Sequence, residues 1–218
     1  GVEVRGTRGW FQLGDYRLQP SEFGKIALIV VLATILGSAE EVGVFRLSAA
    51  VAAASLPVLG IWLENDLGTP LVYGAITTGM VLVAGAKGRH LLVLGLLLLT
   101  GLVAVFQSDV LADYQVARLM VFVDDAQSTA ASYNLEQAEV AIGNGGLTGQ
   151  GLFEGTQNNS DLVPEQQTDF IFTVIAEETG FVGSILVLGL IGMLLVRVWR
   201  IGRLADDRFG LLLAAGVF

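Results

Sequence analysis

"EETGFVGSILVLGLIGMLLVRVWR", Glu177–Arg200, decides what kind of chain this is. Eighteen consecutive residues, Thr179–Val196, carry no charge, and Arg197 and Arg200 close the run. A helix of that length rises about 27 Å, close to the roughly 30 Å of a bilayer's hydrocarbon. Three similar runs lie upstream: Leu47–Leu63 with 17 residues, Leu67–Ala86 with 20 and Leu91–Ser108 with 18. Of the 218 residues, 53% are hydrophobic and 15% charged, too apolar for a soluble domain of this size. The pattern reads as an all-α polytopic membrane protein, a multi-helix transmembrane bundle in one domain, 1–218.

Five complete spans are expected, at about 21–38, 45–62, 67–86, 90–107 and 170–197, with another starting at 209–218. The sequence begins at Gly1 and ends inside an apolar run, so it is expected to be an internal stretch of a longer protein. Lys and Arg set the orientation. Arg46, Lys87, Arg89, Arg197, Arg200, Arg203 and Arg208 fall on one side if the spans alternate, and that side is read as cytoplasmic. The long connection 108–169 then faces outward as a large extracellular loop. Its ten acids oppose one cation, Arg118.

The absence of Cys removes disulfide and thiolate chemistry, and a lone His90 removes a His-based metal or catalytic pair. No nucleic-acid partner is expected of a membrane chain with net charge −9. Carboxylates, Lys and Arg must carry any chemistry. Glu22 and Lys25 lie three residues apart at the start of the first span, on one helical face. They either neutralise each other near the interface or present an ammonium to an anionic ligand. Asp66, in "LENDLGTP", either caps the following helix or belongs to the site. Glu177 and Glu178 lie two turns inside the last full span, where at least one must face the protein and meet a donor. Asp169, Thr173 and Glu177 follow i, i+4, i+8, which puts Glu177 about 12 Å along the axis from Asp169. The loop also holds "AIGNGGLTGQGLFEGTQ", Ala141–Gln157, six glycines among apolar residues, and a structured loop of this length usually has a function.

Four strings in fixed order carry a resemblance: "RGTRGWFQLGDYRLQPSEFGKIALI", "ENDLGTPLV", "AIGNGGLTGQGLFEGTQ" and "LVPEQQTDFIFTVIAEETGFVG". Together they resemble the SEDS family (shape, elongation, division and sporulation), the peptidoglycan polymerases of bacterial membranes. The likeness covers essentially the whole chain and is closest to the elongation branch, RodA. It implies a ten-helix fold, of which this chain would supply about the fourth helix to the start of the ninth. It also implies polymerisation of lipid II with release of undecaprenyl pyrophosphate, in the bacterial inner membrane, beside a class B penicillin-binding protein. Asp169 matches the family's essential Asp in "TDF". Gln167 stands where the family often has His.

Glycosyl transfer with inversion needs one base and stabilisation of the leaving pyrophosphate. Asp169 is the expected base: partial desolvation at a membrane boundary, with Glu165 four residues away, raises its proton affinity. The helix cap is the plain alternative for this Asp. Arg8 and Lys25 match recurrent family positions and are expected to face pyrophosphate, with Arg118 as a further cation and Glu22, Glu165 and Asp66 as substrate-side contacts. No resident metal site is assigned, but Asp169 and Glu165 could hold a divalent cation, Mg or Mn. Rival readings are a lipid-precursor flippase or transporter, since intramembrane charges and helix-breaking Gly and Pro also mark transporters, a division-branch polymerase of the FtsW kind, and a non-catalytic scaffold.

Overall fold

The structure is a computed structural model that describes residues 2–4, 7–14, 16–38, 42–62, 68–93, 95–96, 100, 129–155 and 170–218. Two compact units emerge, Gly1–Ala104 with Leu195–Phe218, and Val105–Leu194.

In the first unit, three short strands precede the helices: β1 (Val2–Val4), β2 (Thr7–Leu13) and β3 (Tyr16–Leu18). They form an antiparallel meander in the order β1-β2-β3, with Phe11 opposite Leu18 and Leu13 opposite Tyr16. The strands add a small sheet to a bundle that hydropathy reads as all helix. Their segment alternates polar and apolar residues and so escapes a search for uncharged runs.

Four described helices form the unit's core: α1 (Pro20–Gly37), α2 (Val44–Trp62), α3 (Gly68–Val83) and, after the second unit, the short helix at the chain's end. Pro20 opens α1 in the first turn, where a missing N–H costs nothing. Leu28, Ile29, Leu32, Ala33 and Leu36 bury one stripe of α1 at helical spacing. That stripe meets Ala50 and Ala54 of α2 and Tyr73, Met80 and Val81 of α3. Outside the core, Ile26, Val30, Phe45, Leu56 and Leu71 are exposed apolar residues. Helices apolar on both faces suit lipid on the outer face. Burial in lipid gives no hydrophobic gain between helices, so close packing of small residues such as Ala50 and Ala54 must hold them.

α3 stops short of the expected end at 86 because of Gly85, which takes φ +76. Its N–H donates to the Leu82 carbonyl, and Ala86 N–H donates to the Val81 carbonyl at 3.3 Å. This is a Schellman stop, and it favours Gly at the left-handed position. Residues 88–93, 95–96 and 100 are helical, while the rest of the expected span at 90–107 lies outside the described residues.

The second unit contains α4 (Thr129–Asn144), a glycine-rich segment through Gly155, and the first part of α5 (Ile171–Leu204). α4 falls within the long connection 108–169. The rest of α5, from Leu195, belongs to the first unit, as does α6 (Arg208–Val217). Asp207 caps α6, its Oδ1 accepting from Gly210 N–H at 2.9 Å. Arg208 donates from Nη2 to the Ala84 carbonyl at 2.8 Å and ties α6 to the end of α3. Helices α1, α2 and α5 are each long and apolar enough to cross a membrane; α3 and α6 are shorter apolar helices.

Candidate functional site

In the first unit, the start of α1 brings Glu22 and Lys25 into an ion pair, Nζ to Oε2, at 2.6 Å. The Lys25 side chain keeps 26% exposure and Glu22 keeps 55%. Mutual neutralisation is therefore realised, and the ammonium retains a face toward its surroundings. Near the pair, Tyr73 of α3 is 1% exposed and donates its hydroxyl to the Ser21 carbonyl at 2.9 Å. A buried phenol needs such a partner, since an unsatisfied hydroxyl costs about 1–3 kcal/mol. The tip of the ring reaches this point because residue 24 is glycine: a Cβ there would collide with the Tyr73 hydroxyl. Beside Tyr73, between α2 and α3, lies a mostly apolar cleft of about 190 Å³ lined by Val51, Val58, Gly74 and Thr77 among others.

In the second unit, α5 breaks at Gly180, which adopts φ +67 and ψ −165. Those angles belong almost only to glycine. An unbroken helix would pair Phe181 N–H with the Glu177 carbonyl and Val182 N–H with the Glu178 carbonyl. The glycine-rich segment takes over all four groups. Gln150 N–H donates to the Glu177 carbonyl at 3.0 Å and Gly151 N–H to the Glu178 carbonyl at 3.1 Å. In return, Phe181 N–H donates to the Gly146 carbonyl at 2.9 Å and Val182 N–H to the Leu147 carbonyl at 3.2 Å. Backbone groups at membrane depth must find partners, and this exchange satisfies them without water. Close approach explains the glycines: a Cβ on Gly145 would strike the Ala176 carbonyl, and one on Gly149 the Glu178 carbonyl. Around the break, Glu177 is 1% exposed and Glu178 is half-buried, so one of the two acids does turn inward. Thr173 donates to the Phe170 carbonyl at 2.7 Å, and Ser184 donates to the Gly180 carbonyl at 2.8 Å.

Of the residues expected in the site, Glu22 and Lys25 are thus brought together. Asp169, Glu165, Arg118 and Asp66 lie outside the described residues, as does the side chain of Arg8, whose backbone is in β2. Among the described residues no group of three or more His, Asp or Glu could hold a metal. Sequence reading missed Tyr73, although a lone tyrosine in an uncharged run signals a buried hydroxyl in need of an acceptor. It also missed the break at Gly180, because a hydropathy window cannot see a dihedral angle.

A family model described as cell cycle protein, for FtsW, RodA and SpoVE, matches residues 1–218. A probable peptidoglycan glycosyltransferase FtsW of Dichelobacter nodosus is 36% identical over 230 residues, covering 100% of this chain and 55% of that protein. The peptidoglycan glycosyltransferase MrdB of Escherichia coli K12 is 32% identical over 224 residues, covering 100% of this chain and 59% of that protein. A chain from a solved structure concerning coordination of polymerization and crosslinking by a peptidoglycan synthase complex is 31% identical. It superposes with a TM-score of 0.74 over 99% of this chain and 60% of that one. The chain therefore spans little more than half the length of the curated relatives it matches. Matched over its whole length and sharing both sequence and fold with these proteins, the chain belongs to the SEDS family, the FtsW, RodA and SpoVE proteins.

Proposed function

We propose that the whole protein containing this chain is a peptidoglycan glycosyltransferase that polymerises lipid II. The observation that carries the reading is the backbone clasp at Gly180: it anchors the helix that begins just after "PEQQTDF", the string holding Asp169. A base at the mouth of a helix needs that helix held in one place. Asp169 removes the proton from the 4-hydroxyl of an acceptor sugar. The hydroxyl oxygen attacks the anomeric carbon of the donor, the bond from that carbon to the phosphate oxygen breaks, and undecaprenyl pyrophosphate leaves with the electron pair. No covalent enzyme intermediate forms.

Pyrophosphate demands cations. Lys25, held by Glu22 but partly open, is one candidate, with Arg8 and Arg118 as the others. Glu165 sits near Asp169 in sequence and sustains its basicity, and Asp66 joins the substrate side. Carboxylates of this kind suit Mg or Mn, and such an ion would offset charge on the pyrophosphate. The apolar cleft beside Tyr73 suits an acyl or prenyl chain.

The loop 108–169 faces the outside of the bacterial inner membrane in this reading, supported by the Arg-rich end of α5 and the acidic loop. The partner is a class B penicillin-binding protein, consistent with the peptidoglycan synthase complex that the fold resembles. "GTQ" at Gly155–Gln157 ahead of "PEQQTDF" favours the elongation branch, RodA, over the division branch. The second reading, a flippase, is favoured by intramembrane charge such as Glu177 and by helix-breaking residues such as Gly180 and Pro57. Purified full-length protein with its partner, in vesicles carrying lipid II, separates the two. Glycan polymer without net lipid translocation supports the polymerase; translocation without polymer overturns it.

A further inference from the structure

At its far end α5 leaves the apolar run and presents Arg197, Arg200, Ile201 and Leu204 along one helical stripe. This stripe forms one wall of a cleft of about 490 Å³, closed on the other side by Asp206 and Gly210. Gly202 on the neighbouring face packs tightly on α6, where a Cβ would come within 2.9 Å of Ala214 Cβ. The corner between the two helices is thereby closed below and open at the stripe.

The charges around the cleft have distinct duties. Arg208 is committed to the Ala84 carbonyl, and the Asp207 carboxylate to Gly210 N–H. Arg203 stands in the last turn of α5, where it complements the helix dipole, and does not line the cleft. Among the described residues no carboxylate or carbonyl pairs with Arg197 or Arg200. Arg197 and Arg200 thus share the cleft with one carboxylate, Asp206, and with the apolar surface of Ile201 and Leu204. Depth is marked independently. Trp199 is 56% exposed, and tryptophan is enriched at headgroup level.

We propose that this cleft binds the headgroup of an anionic phospholipid in the leaflet reached by the end of α5. The planar guanidinium forks suit phosphate oxygens, and the apolar surface suits the first methylenes of the acyl chains. A soluble anion would use the forks but gain nothing from the apolar surface.

The test is native mass spectrometry of the full-length protein released from nanodiscs of phosphatidylcholine doped with phosphatidylglycerol or cardiolipin. Wild type should retain the anionic lipid, and Arg197→Gln with Arg200→Gln should lower retention roughly 30-fold. Arg203→Gln should leave it unchanged. Asp206→Asn removes the opposing carboxylate, keeps the basic flank needed for insertion, and should increase retention. Millimolar inorganic phosphate should not displace the lipid. The proposal is overturned if Arg203→Gln loses as much as the double variant, since retention would then follow net charge alone. It is also overturned if Asp206→Asn has no effect, or if phosphate strips the lipid.

Discussion

Gly180→Ala is the sharpest probe of the clasp on α5. Alanine at φ +67, ψ −165 carries backbone strain of about 1–3 kcal/mol. Its Cβ would also strike Gly149 N and the Leu147 carbonyl, the backbone of the segment that satisfies the break. Displacing that segment loosens four exchanged hydrogen bonds, each worth about 1 kcal/mol net. If the strain is about 2 kcal/mol and two of the bonds fail, the clasp weakens by about 4 kcal/mol. Hydrogen exchange on the full-length protein should report this as a roughly 700-fold fall in protection over peptides covering residues 141–151 and 176–184. Gly189→Ala in the same helix is the control. Nothing lies within 4 Å of its Cβ, so it should be neutral or stabilise by about 0.5–1 kcal/mol. Wild-type protection in Gly180→Ala would refute the argument that the break is held by the glycine-rich segment.

Further outcomes follow from the first unit and the loop. Tyr73→Phe removes the second hydrogen bond to the Ser21 carbonyl, which keeps its helical partner, and should cost about 0.5–1.5 kcal/mol in thermal or denaturant unfolding. Gly24→Ala should cost more, and in the double variant the two effects should add to less than their sum, because removing the hydroxyl makes room for the new methyl. Lys25→Ala should lower kcat/KM on lipid II at least about 10-fold while stability changes by under about 1 kcal/mol, since a part-exposed pair contributes little to folding. Arg118→Ala should impair lipid II turnover more than thermal stability; unchanged turnover removes it from the pyrophosphate contacts.

The helices were legible because their cause is crude. Uncharged runs of membrane length can only be helices or closed barrels; α2, α3 and α5 lie on such runs, and α1 lies on the span expected at 21–38. What escaped depends on finer causes. The Gly14-Asp15 pair between β2 and β3 is a two-residue hairpin signal, yet it is short and lies among charges that draw attention elsewhere. α4 hides inside an acidic connection because its apolar content is modest. The exchange at Gly180 joins residues about 30 apart through main-chain atoms, which carry no side-chain signature. Glu22 and Lys25 were legible as a pair because three residues on a helix determine a shared face, whereas Tyr73, bonded to the Ser21 carbonyl, comes from another helix, and no spacing predicts it.

Polymerisation of lipid II by the purified full-length protein carrying Asp169→Asn tests the central claim most directly. The amide keeps the size of the side chain and its capacity to cap a helix but cannot accept the acceptor hydroxyl's proton. The account predicts that glycan product falls by roughly 10²- to 10⁴-fold while the protein still folds and retains its partner. Polymer formed at the wild-type rate would contradict it.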